Sequence, residues 1–227
     1  MGKQHRLPFP KQSEHKSSEL LEVIRSGVCG PMSTNSVGGS KYFVIFSDES
    51  SRFSKSEVLE KFKEYVELVD NFTGRRIKIF RSDNGGEYSS REFDKFWISR
   101  RIKKEFPIPY TPQQNGIAER LNRTIMETAR AMIYHSMLPL SFWAEAVSTA
   151  VYLKNRSPTS HLQNTTPYEC WYKQKADVNN LKVFGCTAFV HVPDQKRNNL
   201  QKNSEKCIFV GYPENSKGYK FFNPENK

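Results

Sequence analysis

The chain has 227 residues, enough for one domain of ordinary size with a smaller companion, or for two small domains. Its net charge of +11 and sequence pI of about 9.5 favour a polyanionic partner, either nucleic acid or an acidic membrane surface. No apolar run approaches the ~18 residues of a membrane span, and Met1 to Arg6 lead into no apolar signal segment, so the expected setting is nuclear or cytoplasmic, neither membrane nor secreted.

Residues 1–18 are basic and polar, with Pro8 and Pro10, and read as an extended lead-in without a core. Leu20 to Cys29 reads as a first strand closed by Gly30-Pro31, and Lys41 to Phe46 as a second, short and aromatic. Asp48 to Arg52 turns the chain. Val58, Phe62, Val66 and Val69 recur at helical spacing and predict a helix over 54–69. Ile77 to Phe80 reads as a third strand running straight into Asp83. A short helix is expected from Ser89 or Ser90 to Trp97, then a strand over 102–106 and a rigid link from Pro107 to Pro112. Two helices follow, at about 115–134 and 141–155, the second stopped near Ser157-Pro158.

From Leu181 the texture changes. Val183-Phe184, Thr187 to Val192, Cys207 to Val210 and Tyr219 to Phe222 are short β-type runs between polar turns, the pattern of a small all-β module. The expected division is therefore 19–172 and 181–227. Strands alternating with helices imply an α/β core with a buried sheet, whose functional groups gather at strand ends and loops. The four cysteines, Cys29, Cys170, Cys186 and Cys207, have no metal-ligand spacing and read as thiols in a reducing compartment. The Asn-x-Thr sequons at Asn71, Asn122 and Asn164 have no secretory context.

Asp83 and Glu119 are separated by 35 residues. One ends a buried strand and the other begins an amphipathic helix, so if those ends are neighbours the two carboxylates share a divalent metal. At 100° per residue, Arg123 and Arg130 fall within about 40° of Glu119 and Asn122 at about −60°, while Ile117, Leu121, Ile125 and Met132 lie opposite. A plain solvated face with a weak Glu-Arg pair explains the helix alone. The surroundings add to it. Gly85-Gly86 lets backbone approach a ligand, and Gln113-Gln114-Asn115-Gly116 offers amides beside Glu119. Basic clusters flank both acids: Arg75, Arg76, Lys78 and Arg81, then Arg100, Arg101, Lys103 and Lys104. Carboxylates among cations suit a phosphodiester-cutting site, in which acids hold Mg²⁺ or Mn²⁺ and cations hold the nucleic-acid backbone. Arg100 to Lys104 also fits a nuclear localisation signal or ordinary solvated charge. Trp97, Trp143 and Trp171 have helix-face spacing and read as core.

Arg81-Ser82-Asp83-Asn84-Gly85-Gly86-Glu87-Tyr88 and Thr111 to Thr124, with Gly30-Pro31-Met32, Phe142 to Ala146, Val183 to Cys186 and Lys206 to Tyr212, closely resemble the integrase region of Ty1/copia-type retrotransposon Pol polyproteins, in that family's order. The resemblance implies a ribonuclease H-like core followed by a small SH3-like β-barrel, and DNA integration: a DNA end is trimmed, and its 3′-hydroxyl then attacks target DNA. It implies three acidic ligands for Mg²⁺ or Mn²⁺, the last two matched by Asp83 and Glu119. It implies DNA contacts by Arg81, Arg120, Arg123, Arg130, Lys103, Lys104, Gln114 and Asn115, and self-association.

Where the family reads His-Ser-Asp-Val-Cys-Gly-Pro, this chain reads Arg25-Ser26-Gly27-Val28-Cys29-Gly30-Pro31. Gly27 stands in the first acidic position, so weak metal binding and little or no catalysis are expected. Asp48, in the turn after the second strand, is a poor replacement because a ligand must be placed to within ~0.5 Å. Only Phe53 to Ser56 remain where the family has a further strand, so a missing edge strand is expected. The zinc module that precedes this region in the family is expected to be missing, and the β module to be truncated. Against an impaired integrase core stand a non-enzymatic nucleic-acid-binding protein and an unselected, poorly folded fragment.

Overall fold

The computed structural model describes residues 17–57, 62–82, 88, 91–106, 116–196, 198, 202–213 and 216–225. Five strands, β1 (Val23–Cys29), β2 (Phe43–Asp48), β3 (Ser54–Glu57), β4 (Ile79–Arg81) and β5 (Lys103–Glu105), form one mixed sheet in the order β3-β2-β1-β4-β5. β1, β2 and β3 are antiparallel neighbours, whereas β4 and β5 run parallel to β1. The parallel pairs need crossovers; α1 (Phe62–Thr73) precedes β4 and α2 (Arg91–Arg100) precedes β5.

β2 is buried along its whole length, and its alternating side chains serve two cores. Val44 and Phe46 join Ile24, Phe80, Tyr65, Val66, Val69, Trp97 and Tyr88, on the side of α1 and α2. Phe43 and Ile45 face α3 (Gly116–Ser136) and α4 (Trp143–Asn155), which follows a 3-10 turn at Leu140–Phe142. Ile125, Ala129 and Ile133 of α3, four residues apart, are all buried there. Phe46 stacks on Tyr65 at 4.8 Å and Phe80 on Trp97 at 4.9 Å; such ring pairs add about 0.5–1.5 kcal/mol beyond their buried area.

The expected helix over 54–69 is corrected, and so is the missing edge strand. Ser54 to Glu57 pair with Val44 to Ser47 as β3, and the helix is α1, ending at Thr73. The physical reason lies in Asn155, at the end of α4. Its Oδ1 accepts from Ser54 N at 2.8 Å and its Nδ2 donates to Ser54 O at 2.6 Å, so one buried carboxamide serves the outer edge of a four-residue strand. Several boundaries also move: β1 begins at Val23 rather than Leu20, and β2 extends through Asp48, expected in the turn.

α5 (Pro167–Tyr172) was not among the expected elements. Thr166 and Glu169 close a capping box around its first turn, and Thr-Pro-x-Glu is a legible start signal.

The β module is a three-stranded antiparallel sheet of β6 (Thr187–His191), β7 (Ser204–Gly211) and β8 (Lys220–Phe222). Val183 and Phe184, expected as strand, lie in a turn, with Phe184 buried. The module packs on α3 and α4: Phe184 and Val210 belong to the same core as Ile125, Ala129 and Val147. Tyr152 of α4 stacks on Tyr212 at 3.9 Å. The four cysteines are free, as expected.

Candidate functional site

The candidate site lies where β1, which pairs with β4, packs against the first turns of α3. The described residues on either side of positions 83–87 are held in the core. Before them, Phe80 and Ser82 are buried; after them, Tyr88 is fully buried, packs edge-on against Phe80, and exchanges a 2.9 Å hydrogen bond with Ser26 of β1. Asp83 itself, with Gln114 and Asn115, falls outside the described residues.

Glu119 sits in the first turn of α3 and is exposed, as are Arg120, Arg123 and Arg130. Ile125 is buried, as the helical spacing predicts, but Ile117, Leu121 and Met132 are only half-buried; the buried stripe is Ala118, Ile125, Ala129 and Ile133, so the core face is turned toward Asn122. An acid in a first turn is also favoured by the positive end of the helix.

Gly27 is buried inside β1, opposite Ile45. A Cβ built on it lies 3.5 Å from Ala118 Cβ and 2.7 Å from Asn122 Nδ2. Position 27 thus faces the same two turns of α3 that carry Glu119. Among the described residues, Asn122 Oδ1 is buried without a hydrogen-bond partner. Sequence reasoning gave Asn122 an angle on the helix but no role; its spacing three residues after Glu119 was the available signal.

Asp48 is committed elsewhere. One carboxylate oxygen accepts from Leu21 N at 2.8 Å, and the other from Ser50 Oγ, Ser51 N and Ser51 Oγ at 2.7–2.8 Å. It holds the β2–β3 turn and has no spare geometry for a ligand.

The cations near the sheet are engaged by carboxylates. Register sets Arg25, Arg81 and Glu105 abreast on β1, β4 and β5. Arg25 pairs with Glu49 at 2.9 Å, with side chains 6% and 7% exposed. Arg81 reaches Glu105 at 2.7 Å and Glu49 at 3.4 Å. Lys103 pairs with Glu105 at 3.0 Å, and Lys104 with Asp94 at 2.7 Å. Burial pushes the Glu105 carboxyl up, but hydrogen bonds from Arg81 and Lys103 and their charges outweigh it, leaving its pKa below the ordinary value. Sequence analysis did not foresee this network, because Glu49 and Glu105 meet the arginines only through strand register.

Asp83, one of the acids that the resemblance assigns to a two-metal centre, lies outside the described residues. Among them, no three His, Cys, Asp or Glu side chains gather as a metal-binding group. At position 27, where the resemblance puts the first ligand, glycine offers no side-chain oxygen and a neutral amide stands in front of it.

Comparison with known proteins adds ancestry to this geometry. Residues 186–227 match the retroviral polymerase SH3-like domain. The whole chain is 47% identical over 233 aligned residues to the retrovirus-related Pol polyprotein from transposon TNT 1-94 of Nicotiana tabacum, covering 18% of that protein. It is 34% identical to the Pol polyprotein from transposon RE2 of Arabidopsis thaliana, over 93% of this chain and 15% of the relative. It therefore spans less than a fifth of these relatives' lengths. Among solved structures, the fold resembles a chain of the simian T-cell lymphotropic virus intasome in complex with the PP2A regulatory subunit B56 gamma. The TM-score is 0.59 at 16% identity, over 98% of this chain and 82% of that one.

Proposed function

The chain belongs to the Pol region of copia-type retrotransposons, and from that premise we propose that it is the integrase segment, a ribonuclease H-like core with an SH3-like module, impaired in catalysis at position 27. The observation that carries this reading is the placement of Gly27 against the turns of α3 that bear Glu119. An acid at 27 would share that corner of the sheet with Glu119. Glycine leaves one anionic ligand fewer, and each phosphodiester-transfer step depends on metal charge and geometry. Mg²⁺ and Mn²⁺ therefore bind weakly, with Asp83 and Glu119 as the remaining acids. The partners are DNA, both element ends and target, and further copies of the chain, in a nuclear or cytoplasmic setting. No helix among the described residues is long and apolar enough to cross a membrane.

A strand-transfer assay with Mg²⁺ or Mn²⁺ tests the impairment. The expected result is little or no product. Product formed by the natural chain and lost on Asp83→Ala would overturn it.

A second reading, nucleic-acid binding without catalysis, is favoured by the exposed row Arg120, Arg123 and Arg130 and the net charge of +11. Each phosphate neutralised contributes about 0.9 to the slope of log K against log salt on duplex DNA. The triple alanine variant is expected to weaken binding and flatten that slope, and an unchanged slope would remove this face from the interface.

A further inference from the structure

Gly27 has no backbone reason to be glycine. It lies in a regular antiparallel ladder opposite Ile45, with φ outside the left-handed range, so any L-residue fits its torsions. What stands before it is the end of one side chain: a Cβ at 27 meets Asn122 Nδ2 at 2.7 Å and Asn122 Cγ at 3.4 Å. The opposite end of that amide, Oδ1, is buried and unpaired among the described residues. A carboxamide offers two donors and an acceptor, and one end here faces a glycine while the other faces nothing that bonds to it. Whichever way the amide is turned, one of its polar ends is wasted.

We propose that Asn122 is the unpaired half of a two-residue unit whose other half is the side chain missing at position 27. The inference rests on the reading of Gly27 as a vacated acidic position. A carboxylate there needs the amide to give way, and the amide can, because it is the end of a flexible side chain rather than backbone. Ala118, at 3.5 Å, is small enough to leave room. Once turned, the amide presents its N–H to the new carboxylate and becomes the positioning residue that fixes the acid's direction beside Glu119. Asn122 is thus dispensable in the natural chain and needed once position 27 is acidic.

The test is a four-member cycle on the full chain: natural, Gly27→Asp, Asn122→Ala and both, followed by thermal unfolding with and without MnCl₂. In the natural background Asn122→Ala breaks no hydrogen bond to a described residue, and Tm is expected to hold within about 2 °C or to rise. In the Gly27→Asp background the same change is expected to lower Tm by about 4 °C or more. Mn²⁺ is expected to raise Tm of Gly27→Asp but not of the natural chain, and Asn122→Ala to remove most of that rise. Equal effects of Asn122→Ala in both backgrounds would overturn the pairing. Non-additive Tm values with no response to Mn²⁺ would support the pairing and sink the metal reading of position 27. If Gly27→Asp does not fold, Gly27→Asn, its uncharged isostere, carries the same cycle, and additivity there overturns the proposal equally.

Discussion

Glu105 accepts from Arg81 Nε at 2.7 Å and pairs with Lys103 at 3.0 Å. Although burial pushes its carboxyl up, those two cations hold its pKa below the ordinary value. The unfolded chain therefore takes up this proton at higher pH than the folded chain does. The ionised group contributes stability in full above the unfolded glutamate value, about 4.3, and loses it as pH falls through the lower folded one. Glu105→Gln is expected to lower Tm at pH 7, with the gap from the natural chain closing as pH drops below about 4. Thermal scans from pH 3 to pH 7 check this, and a gap that stays constant would count against it. The same contacts limit what composition conveys. The sequence presents Arg81, Lys103 and Lys104 as cations for a polyanion, yet each is met by a carboxylate brought alongside by β4, β5 or α2. The exposed arginines of α3 follow from 3.6-residue spacing alone and were legible.

At the scale of elements, β3 is the test of what local pattern conveys. Ser54 to Glu57 have no apolar alternation, and the spacing from Val58 onward draws the eye to a helix starting at 54. The strand exists because Asn155, 101 residues away in sequence, gives Ser54 both an acceptor and a donor. No window of sequence contains that pairing. The apolar strands β1, β2 and β4, by contrast, carry their own signal in β-branched and aromatic runs. Asn155→Leu, which strips both bonds from a buried site, is expected to cost about 1–3 kcal/mol for each backbone group left unpaired. Hydrogen exchange at the Ser54 amide should accelerate more than exchange within β1. Protection unchanged at Ser54 would mean that β3 holds its edge without Asn155.

At the scale of the molecule, the change of texture near 181 marks the β module, but not what supports it. Three short strands do not enclose a core; Phe189 on β6 is 71% exposed. Stability comes from docking a hydrophobic face on helices, and here Phe184 and Val210 share a core with Ile125, Ala129 and Val147. Phe222 also packs edge-on against Phe142 at 4.9 Å. Gly185 lies at the seam with φ +84, and a Cβ there would run into Ser136 Cβ and come within 2.9 Å of its Cα, a backbone atom that cannot step aside. Gly185→Ala therefore combines a left-handed residue with overpacking, at about 1–3 kcal/mol for each effect. Two independent units would respond with a second, low-temperature transition belonging to the β module alone. One continuous core responds differently: calorimetry is expected to show a single transition moved down by several degrees. Protease cleavage near residues 173–182 should not run ahead of global unfolding, since the module gains its burial only while α3 and α4 are folded beneath it.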